Sequence, residues 1–312
     1  MYFRTNKVKY DSAQIHYVHC YHAHVIRIYK LCSKNVTSVI WGSDIFKSKK
    51  RQYKRLSKIF LNSDIVNCCT PEIEKALNNL LKSTVKIRDF GKVKISRLKF
   101  GVLGLDYVKD VLENPSITFD SKNEDIKVIE GAKKENKIIV TIGYNGSRNQ
   151  QHLKIISAIA GVENINNYFF VVPMTYGSDE GYYNDILNFL KSNCFNFVVI
   201  RKFLDNYDVA SLRILTDMFI QLQITDAFSA SMMEHLYAGS SVITGKWLNY
   251  VELQDSNLSL VEISSFSQLP EALKESLEIK NNYISGYKLN SQRDYIWNLC
   301  SFNVMIDNWL EL

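Results

Sequence analysis

Residues 137–174 read KIIVTIGYNGSRNQQHLKIISAIAGVENINNYFFVVPM. Two short apolar runs, 137–143 (KIIVTIG) and 168–174 (YFFVVPM), enclose 152–160 (HLKIISAIA), whose apolar residues recur at helical spacing and stop at Gly161. Continuous rather than alternating hydrophobicity marks strands buried on both faces. The order strand–helix–strand marks a parallel unit with a right-handed crossover. Downstream the alternation continues: helix 182–191, strand 195–201 (FNFVVIR), helix 208–215, strand 217–224 (DMFIQLQI), helix 231–238 and strand 241–244. The pattern predicts an α/β domain with a doubly wound parallel sheet.

Upstream the same alternation is less clean. Strands are predicted at 14–18, 37–41 and 64–68, with a helix at 22–31 and a long basic helix ending near Phe60. Thr70 caps the next helix, with Pro71 at its first position, where the missing N–H is no loss. So few strands predict a small or incomplete N-terminal domain. The polar stretch 113–136, with Pro115 and Gly131, reads as a linker. The expected domains are one α/β unit over 1–120, a second over 137–290 and a closing helix over 291–312.

With 312 residues, 46% hydrophobic and 22% charged, the chain has room for two domains and is not of the disordered class. No apolar run approaches the ~18 residues of a membrane span. The opening MYFRTNK lacks the apolar core of a secretory signal. Cys20, Cys32, Cys68, Cys69, Cys194 and Cys300 show no CxxC pair or metal-like rhythm, which predicts reduced thiols in a cytoplasmic protein.

The net charge of +6 conceals an asymmetry: residues 1–100 carry 21 Lys and Arg against 6 Asp and Glu, the remainder 17 against 26. A basic half of this kind faces an anionic partner. Its densest part includes Lys49, Lys50, Arg51, Lys54 and Arg55, which is either a solvated helix face or a docking face for anionic lipid. Each base near such a surface adds about 1 kcal/mol. No nucleic-acid-binding motif accompanies the charge, so nucleic acid is not an expected partner.

In a parallel sheet, ligands gather at the carboxyl ends of strands and anions at helix N-termini. Four loops of the second half qualify. Gly143-Tyr144-Asn145-Gly146-Ser147-Arg148 is either a tight turn or a close backbone approach to phosphate, but lacks the GxGxxG spacing. Pro173–Ser178 and Arg201–Leu204 are a turn and a strand end, the second with bases and an aromatic suited to a nucleobase. The fourth, 226–234 (DAFSASMME), sets Asp226 and Glu234 eight positions apart around the small residues Ser229, Ala230 and Ser231. Ser231-x-x-Glu234 also reads as a capping box, which would require neither Asp226 nor the small residues.

The Asp226-x7-Glu234 arrangement, with Trp41–Asp44, 143–146 (GYNG), 173–177 (PMTYG) and 245–250 (GKWLNY), resembles GT-B glycosyltransferases of family 4 and its relatives. Within these the chain looks most like the bacterial surface-polysaccharide enzymes near the 4-acetamido-fucose transferases. The resemblance runs from about Tyr10 to Tyr250. It departs from the family at Asp226, where a glutamate is usual, and in lacking a clear Arg/Lys pair for the diphosphate; Arg148 and Lys154 stand in by position only. Longer relatives carry a further portion ahead of Tyr10.

The resemblance implies a GT-B fold of two Rossmann-like units facing a cleft, and a nucleotide-sugar donor held by the second. Glu234 would hold the ribose hydroxyls. Ser229, Ala230, Ser231, Gly143, Asn145, Gly146 and Arg148 would face the diphosphate, and Thr175, Tyr176, Arg201 and Phe203 would complete the donor site. Asp44, His16 and Asp226 are the catalytic candidates, and Trp41 is either core or a platform for a sugar ring. His22 and His24, two apart on a helix, cannot face the same side, and together with His16 and His19 they make no metal-ligand pattern. No metal or cofactor is expected, because N–H donors can stabilise the leaving diphosphate. The implied activity transfers a sugar to a lipid-linked or oligosaccharide acceptor in surface-polysaccharide synthesis, at the cytoplasmic face of a membrane. The alternatives are a catalytically silent nucleotide-sugar-binding subunit and a GT-B nucleotide-sugar epimerase.

Overall fold

The structure, a computed structural model, describes residues 10–16, 18–19, 22–86, 93–119, 121–226, 228–253, 257–283 and 286–310. The chain divides into two compact units, residues 102–302 and residues 1–101 joined by 303–312.

The first unit is built on a four-stranded parallel sheet in chain order: β1 (Tyr10–His16), β2 (Ser33–Ile40), β3 (Ile65–Cys68) and β4 (Ile95–Ser96). β1 starts four residues before its predicted position. Its polar residues Ser12 and Gln14 pair through the backbone with β2, which hydrophobicity does not register. Helix Lys50–Asn62 buries Leu56, Ile59 and Phe60 and exposes its bases. Helix Pro71–Thr84 starts as predicted, with Thr70 Oγ1 accepting from Ile73 N at 3.3 Å.

In the second unit a six-stranded parallel sheet follows the order β10-β9-β8-β5-β6-β7. Its strands are β5 (Ile138–Ile142), β6 (Tyr168–Pro173), β7 (Phe197–Ile200), β8 (Met218–Gln221), β9 (Ser241–Gly245) and β10 (Leu260–Ile263). This is the doubly wound order, and it reverses direction between β5 and β8. One face packs Ile155, Ile156 and Ile186 over Val140, Phe170 and Ile220. The other packs Met232, Met233 and Leu236 over Phe219 and Val242.

The expected linker is not one. Within 113–136 the chain forms helices Ser116–Phe119 and Glu124–Lys134, and the latter buries Ile126, Ile129 and Ala132 against Ile139, Val171 and Leu212 of the second unit. Three-residue spacing of Ile126, Ile129 and Ala132 makes a narrow apolar stripe on an otherwise charged helix, which average polarity conceals. The division between units falls instead after Gly101. The single closing helix expected over 291–312 is two, Gly286–Cys300 and Phe302–Leu310. The second belongs to the first unit, where Trp309 Nε1 donates to Lys99 O at 2.7 Å.

Candidate functional site

In the second unit, three helices begin at the carboxyl edge of the sheet, each on a side-chain cap. Asp179 accepts from Tyr182 N after β6 (2.8 Å), Asp205 from Asp208 N after β7 (2.8 Å) and Ser229 from Met232 N after β8 (3.2 Å). These helix starts lie at the carboxyl edge of the sheet, the edge where a ligand crevice is expected at the switch point. A cavity of about 390 Å³ lies there.

One end of the cavity is aromatic and apolar. Tyr176 and Phe203 stand parallel, with centroids 6.0 Å apart and planes at 2°, and both are exposed. Pro173, Thr175, Leu204, Val209 and Leu212 line the wall beside them. The other end is polar and buried. Glu234, 8% exposed, accepts from Arg213 Nε at 3.0 Å through Oε2, and Arg213 is itself 7% exposed. Arg213 Nη1 lies 3.3 Å from His235 Nε2, so that nitrogen is the acceptor and the imidazole proton is on Nδ1, towards Ser240 Oγ. Complete burial pushes the His235 pKa well below its usual value and keeps the ring neutral.

Two features fix this polar end. Gly104, at the start of helix Gly104–Glu113, leaves room for the Glu234 carboxylate: a Cβ there would lie 2.0 Å from Oε1. Ser229, not Ser231, is the cap of helix Ala230–Ala238, so the capping-box reading of Ser231 and Glu234 does not hold. Glu234 is turned to Arg213, and the Ser231 hydroxyl is buried with no hydrogen-bond partner among the described residues. Ser231 and the N-terminal turn of its helix line the cavity beside Glu234.

Of the predicted donor residues, Thr175, Tyr176, Phe203, Ser229, Ala230, Ser231 and Glu234 meet in this cavity. Gly143, Asn145, Gly146, Arg148, Arg201 and Asp226 do not line it, and each has another place. Gly143 turns at φ 65 against Gln150 and His152. Asn145 Nδ2 lies 3.3 Å from Tyr176 Oη, and Gly146 N donates to Tyr176 O at 2.7 Å, so this loop props the tyrosine instead of cradling an anion. Arg148 pairs with Asp179 at 3.1 Å and Arg201 with Glu180, and they cover the rings of Tyr182 and Tyr183. Asp226 Oδ2 accepts from Tyr250 Oη at 2.7 Å. Its neighbour Ala227 lies outside the described residues.

Among the lining residues outside the predicted set, two polar ones matter for the chemistry. Tyr144 lines the cavity, with burial pushing its pKa up to about 12. Arg213 had a legible signal: it lies four positions after Val209 and three after Ala210, a cation on the buried stripe of helix Asn206–Leu215. A cation on such a stripe needs a buried partner.

In the first unit, Asp44 accepts backbone N–H bonds from Val18 (3.0 Å) and Trp41 (3.0 and 3.1 Å), while burial raises its pKa. The residue ties a turn. His16 Nδ1 accepts from Trp41 Nε1 at 3.1 Å, its Nε2 lies 2.9 Å from Gln14 Oε1, and burial lowers its pKa. Trp41 is half-buried and stacks on Phe100 at 3.9 Å and 8°, next to Trp309. Lys49, Lys50, Arg51, Lys54 and Arg55 are all exposed.

Among the described residues no group of three His, Cys, Asp or Glu side chains is placed to hold a metal ion. Nor is any described helix long and apolar enough to cross a membrane.

No family model matches the chain, and no curated protein matches it. Solved structures do match in fold. A UDP-forming α,α-trehalose-phosphate synthase from Burkholderia xenovorans, in complex with glucose-6-phosphate, has a TM-score of 0.67 at 12% identity over 97% of this chain and 73% of that one. An E. coli trehalose-6-phosphate protein bound with UDP-2-fluoro glucose has a TM-score of 0.63 at 13% identity, over 96% of this chain and 70% of that one. A glycosyltransferase from Rickettsia africae has 0.60 at 14% identity, over 93% and 78%. At such identities the likeness is one of fold, and the fold is the α/β, Rossmann-like architecture of GT-B glycosyltransferases.

Proposed function

We propose that the protein is a glycosyltransferase whose second unit holds a nucleotide-sugar donor in the cavity at the β5/β8 switch point. The observation that carries this reading is that one cavity joins a parallel aromatic pair to a buried, ion-paired carboxylate beside a helix N-terminus. The base lies against Tyr176 and Phe203. Ribose hydroxyls donate to Glu234, whose charge Arg213 balances. The diphosphate meets the N–H groups of Ala230 and Ser231 and the unpartnered Ser231 hydroxyl, a set of preorganised donors for charge that grows on the leaving nucleoside diphosphate. This assignment gives a metal no part. The neighbours in fold include UDP-forming enzymes, which puts UDP first among candidate nucleotides.

The acceptor is a lipid-linked or oligosaccharide chain of a bacterial surface polysaccharide, reached at the inner face of a membrane. Support comes from the basic first unit and from the family resemblance of the motifs. A second reading, a nucleotide-sugar-binding subunit without catalysis, is favoured by one observation: Asp44, His16 and Asp226 all spend their polar atoms on internal hydrogen bonds.

Calorimetry with UDP, GDP, dTDP and CMP tests the donor site. Phe203→Ala, a change at an exposed ring, should weaken the bound nucleotide by about tenfold, since base stacking is worth ~1–3 kcal/mol. Glu234→Gln keeps an acceptor for Arg213 but removes the charge, and it should weaken nucleoside diphosphates more than inorganic pyrophosphate. Unchanged affinity in both variants overturns the donor site. Binding by the wild type without hydrolysis or transfer of any sugar selects the silent subunit.

A further inference from the structure

The first unit carries a groove of about 600 Å³ that no part of the donor reading uses. It lies between helix His22–Cys32, the second half of helix Lys50–Asn62 and the end of helix Pro71–Thr84. Lys54, Arg55, Lys58 and Lys86 stand around it with the apolar side chains of Leu61 and Val85, and among the described residues no Asp or Glu lines it. Elsewhere in this unit three cations have carboxylate partners: Lys30 pairs with Asp64, Lys34 with Asp11 and Arg97 with Glu74. Among the described residues the four groove cations form no ion pair.

Apart from the exposed His24, the groove's remaining polar groups are already engaged. Ser57 Oγ donates to Lys54 O at 3.1 Å, Thr84 Oγ1 to Leu80 O at 2.8 Å and Asn62 Nδ2 to Lys58 O at 2.7 Å. The side-chain donors left for an occupant are therefore chiefly cationic. Four like charges round one concavity repel one another, and the arrangement is relieved by an anion held between them. A nucleotide does not suit it, because among the described residues no Phe, Tyr or Trp lines the groove to stack a base and no acid lines it to take ribose hydroxyls. A phosphate joined to an apolar body does.

We infer that this groove binds the phosphate of an anionic lipid headgroup, with the glycerol and first methylenes against Leu61 and Val85. The inference rests on the membrane reading above and gives it a site. It also moves that site: of the five bases expected to face the membrane, Lys54 and Arg55 line the groove, whereas Lys49, Lys50 and Arg51 at the start of the helix do not.

The experiment is co-sedimentation of the full chain with vesicles of phosphatidylcholine alone or mixed with phosphatidylglycerol. Two variants each lose four charges: Lys54→Gln/Arg55→Gln/Lys58→Gln/Lys86→Gln in the groove, and Lys47→Gln/Lys49→Gln/Lys50→Gln/Arg51→Gln outside it. Circular dichroism and nucleotide affinity serve as checks on folding, since all eight side chains are exposed or half-buried. A single base at an anionic surface is worth roughly fivefold in binding. The groove variant should lose at least about tenfold in binding to the anionic vesicles, and the outer variant less than about threefold. Equal losses mean attraction spread over the whole basic face and overturn the groove, while leaving the membrane reading in place. A wild type that ignores anionic vesicles overturns the membrane reading itself. Soluble sn-glycerol 1-phosphate, tested by thermal shift, is the remaining arm. If it occupies the groove as tightly as vesicle lipid does, the ligand is a free phosphate ester and the lipid assignment fails.

Discussion

The two units place their charges in opposite ways. In the first, cations stand outside, on the solvent face of helix Lys50–Asn62, and fold stability hardly depends on them, since exposed charges contribute only ~0–1 kcal/mol. In the second, Arg213 and Glu234 are packed inside, beneath the cavity, where desolvation makes an unpaired charge very costly. Outward charge is therefore informative about partners, and inward charge about the site and the fold together.

The strongest way to break this contrast is Arg213→Met. Removing one member of a buried pair strands the other, so urea unfolding should show a loss of about 3–5 kcal/mol. The fourfold Gln variant of the groove should stay within ~0.5 kcal/mol per site by the same measurement. Comparable losses in the two would erase the distinction.

Acid should sharpen it. Burial lowers the His152 pKa to about 4 and that of His235 well below the ordinary value, and both residues lie in the second unit. The unfolded chain binds these protons below about pH 6.5 while the folded protein does not. Stability is therefore full above pH 6.5 and falls as pH drops towards 4, by about 3 kcal/mol for His152 alone. Thermal melts of His152→Gln should have a flatter slope over that window. An unchanged slope would mean that His152 is protonated in the folded protein.

Gly104→Ala should cost about 1–3 kcal/mol, because the new methyl meets a carboxylate that Arg213 holds in place. In a double-mutant cycle with Glu234→Gln the two changes should prove non-additive. The smallest pair separates a cap from a ligand donor. Ser229→Ala should cost about 1 kcal/mol in stability. Ser231→Ala should stay within ~0.5 kcal/mol, because its hydroxyl has no partner to lose, yet it should weaken diphosphate binding measured by calorimetry.

Much of this was legible in the chain before folding. The runs KIIVTIG and YFFVVPM announced buried parallel strands, and β5 and β6 lie within them. Thr70 and Pro71 announced a helix start, and Gly161 a helix end. Polar β1 was placed late, because backbone pairing organises residues that hydrophobicity does not mark. The helix Glu124–Lys134 passed for a linker, because Ile126, Ile129 and Ala132 are few among many charges. At the site, loop position singled out Tyr176, Phe203, Ser231 and Glu234, and the four line one cavity. Arg148 and Arg201 lie outside that cavity, with their charges taken by Asp179 and Glu180 at the start of helix Glu180–Ser192.

The amino-acid order by itself determined the βα alternation, the parallel second sheet and the loops that gather at its carboxyl edge, because periodicity and capping act over a few residues. Which polar groups meet was decided only by tertiary structure. Arg213 and Glu234 lie 21 positions apart, and Gly104 lies 130 positions before the carboxylate it makes room for. Contacts of that span depend on how strands are ordered in the sheet, and no local pattern records it.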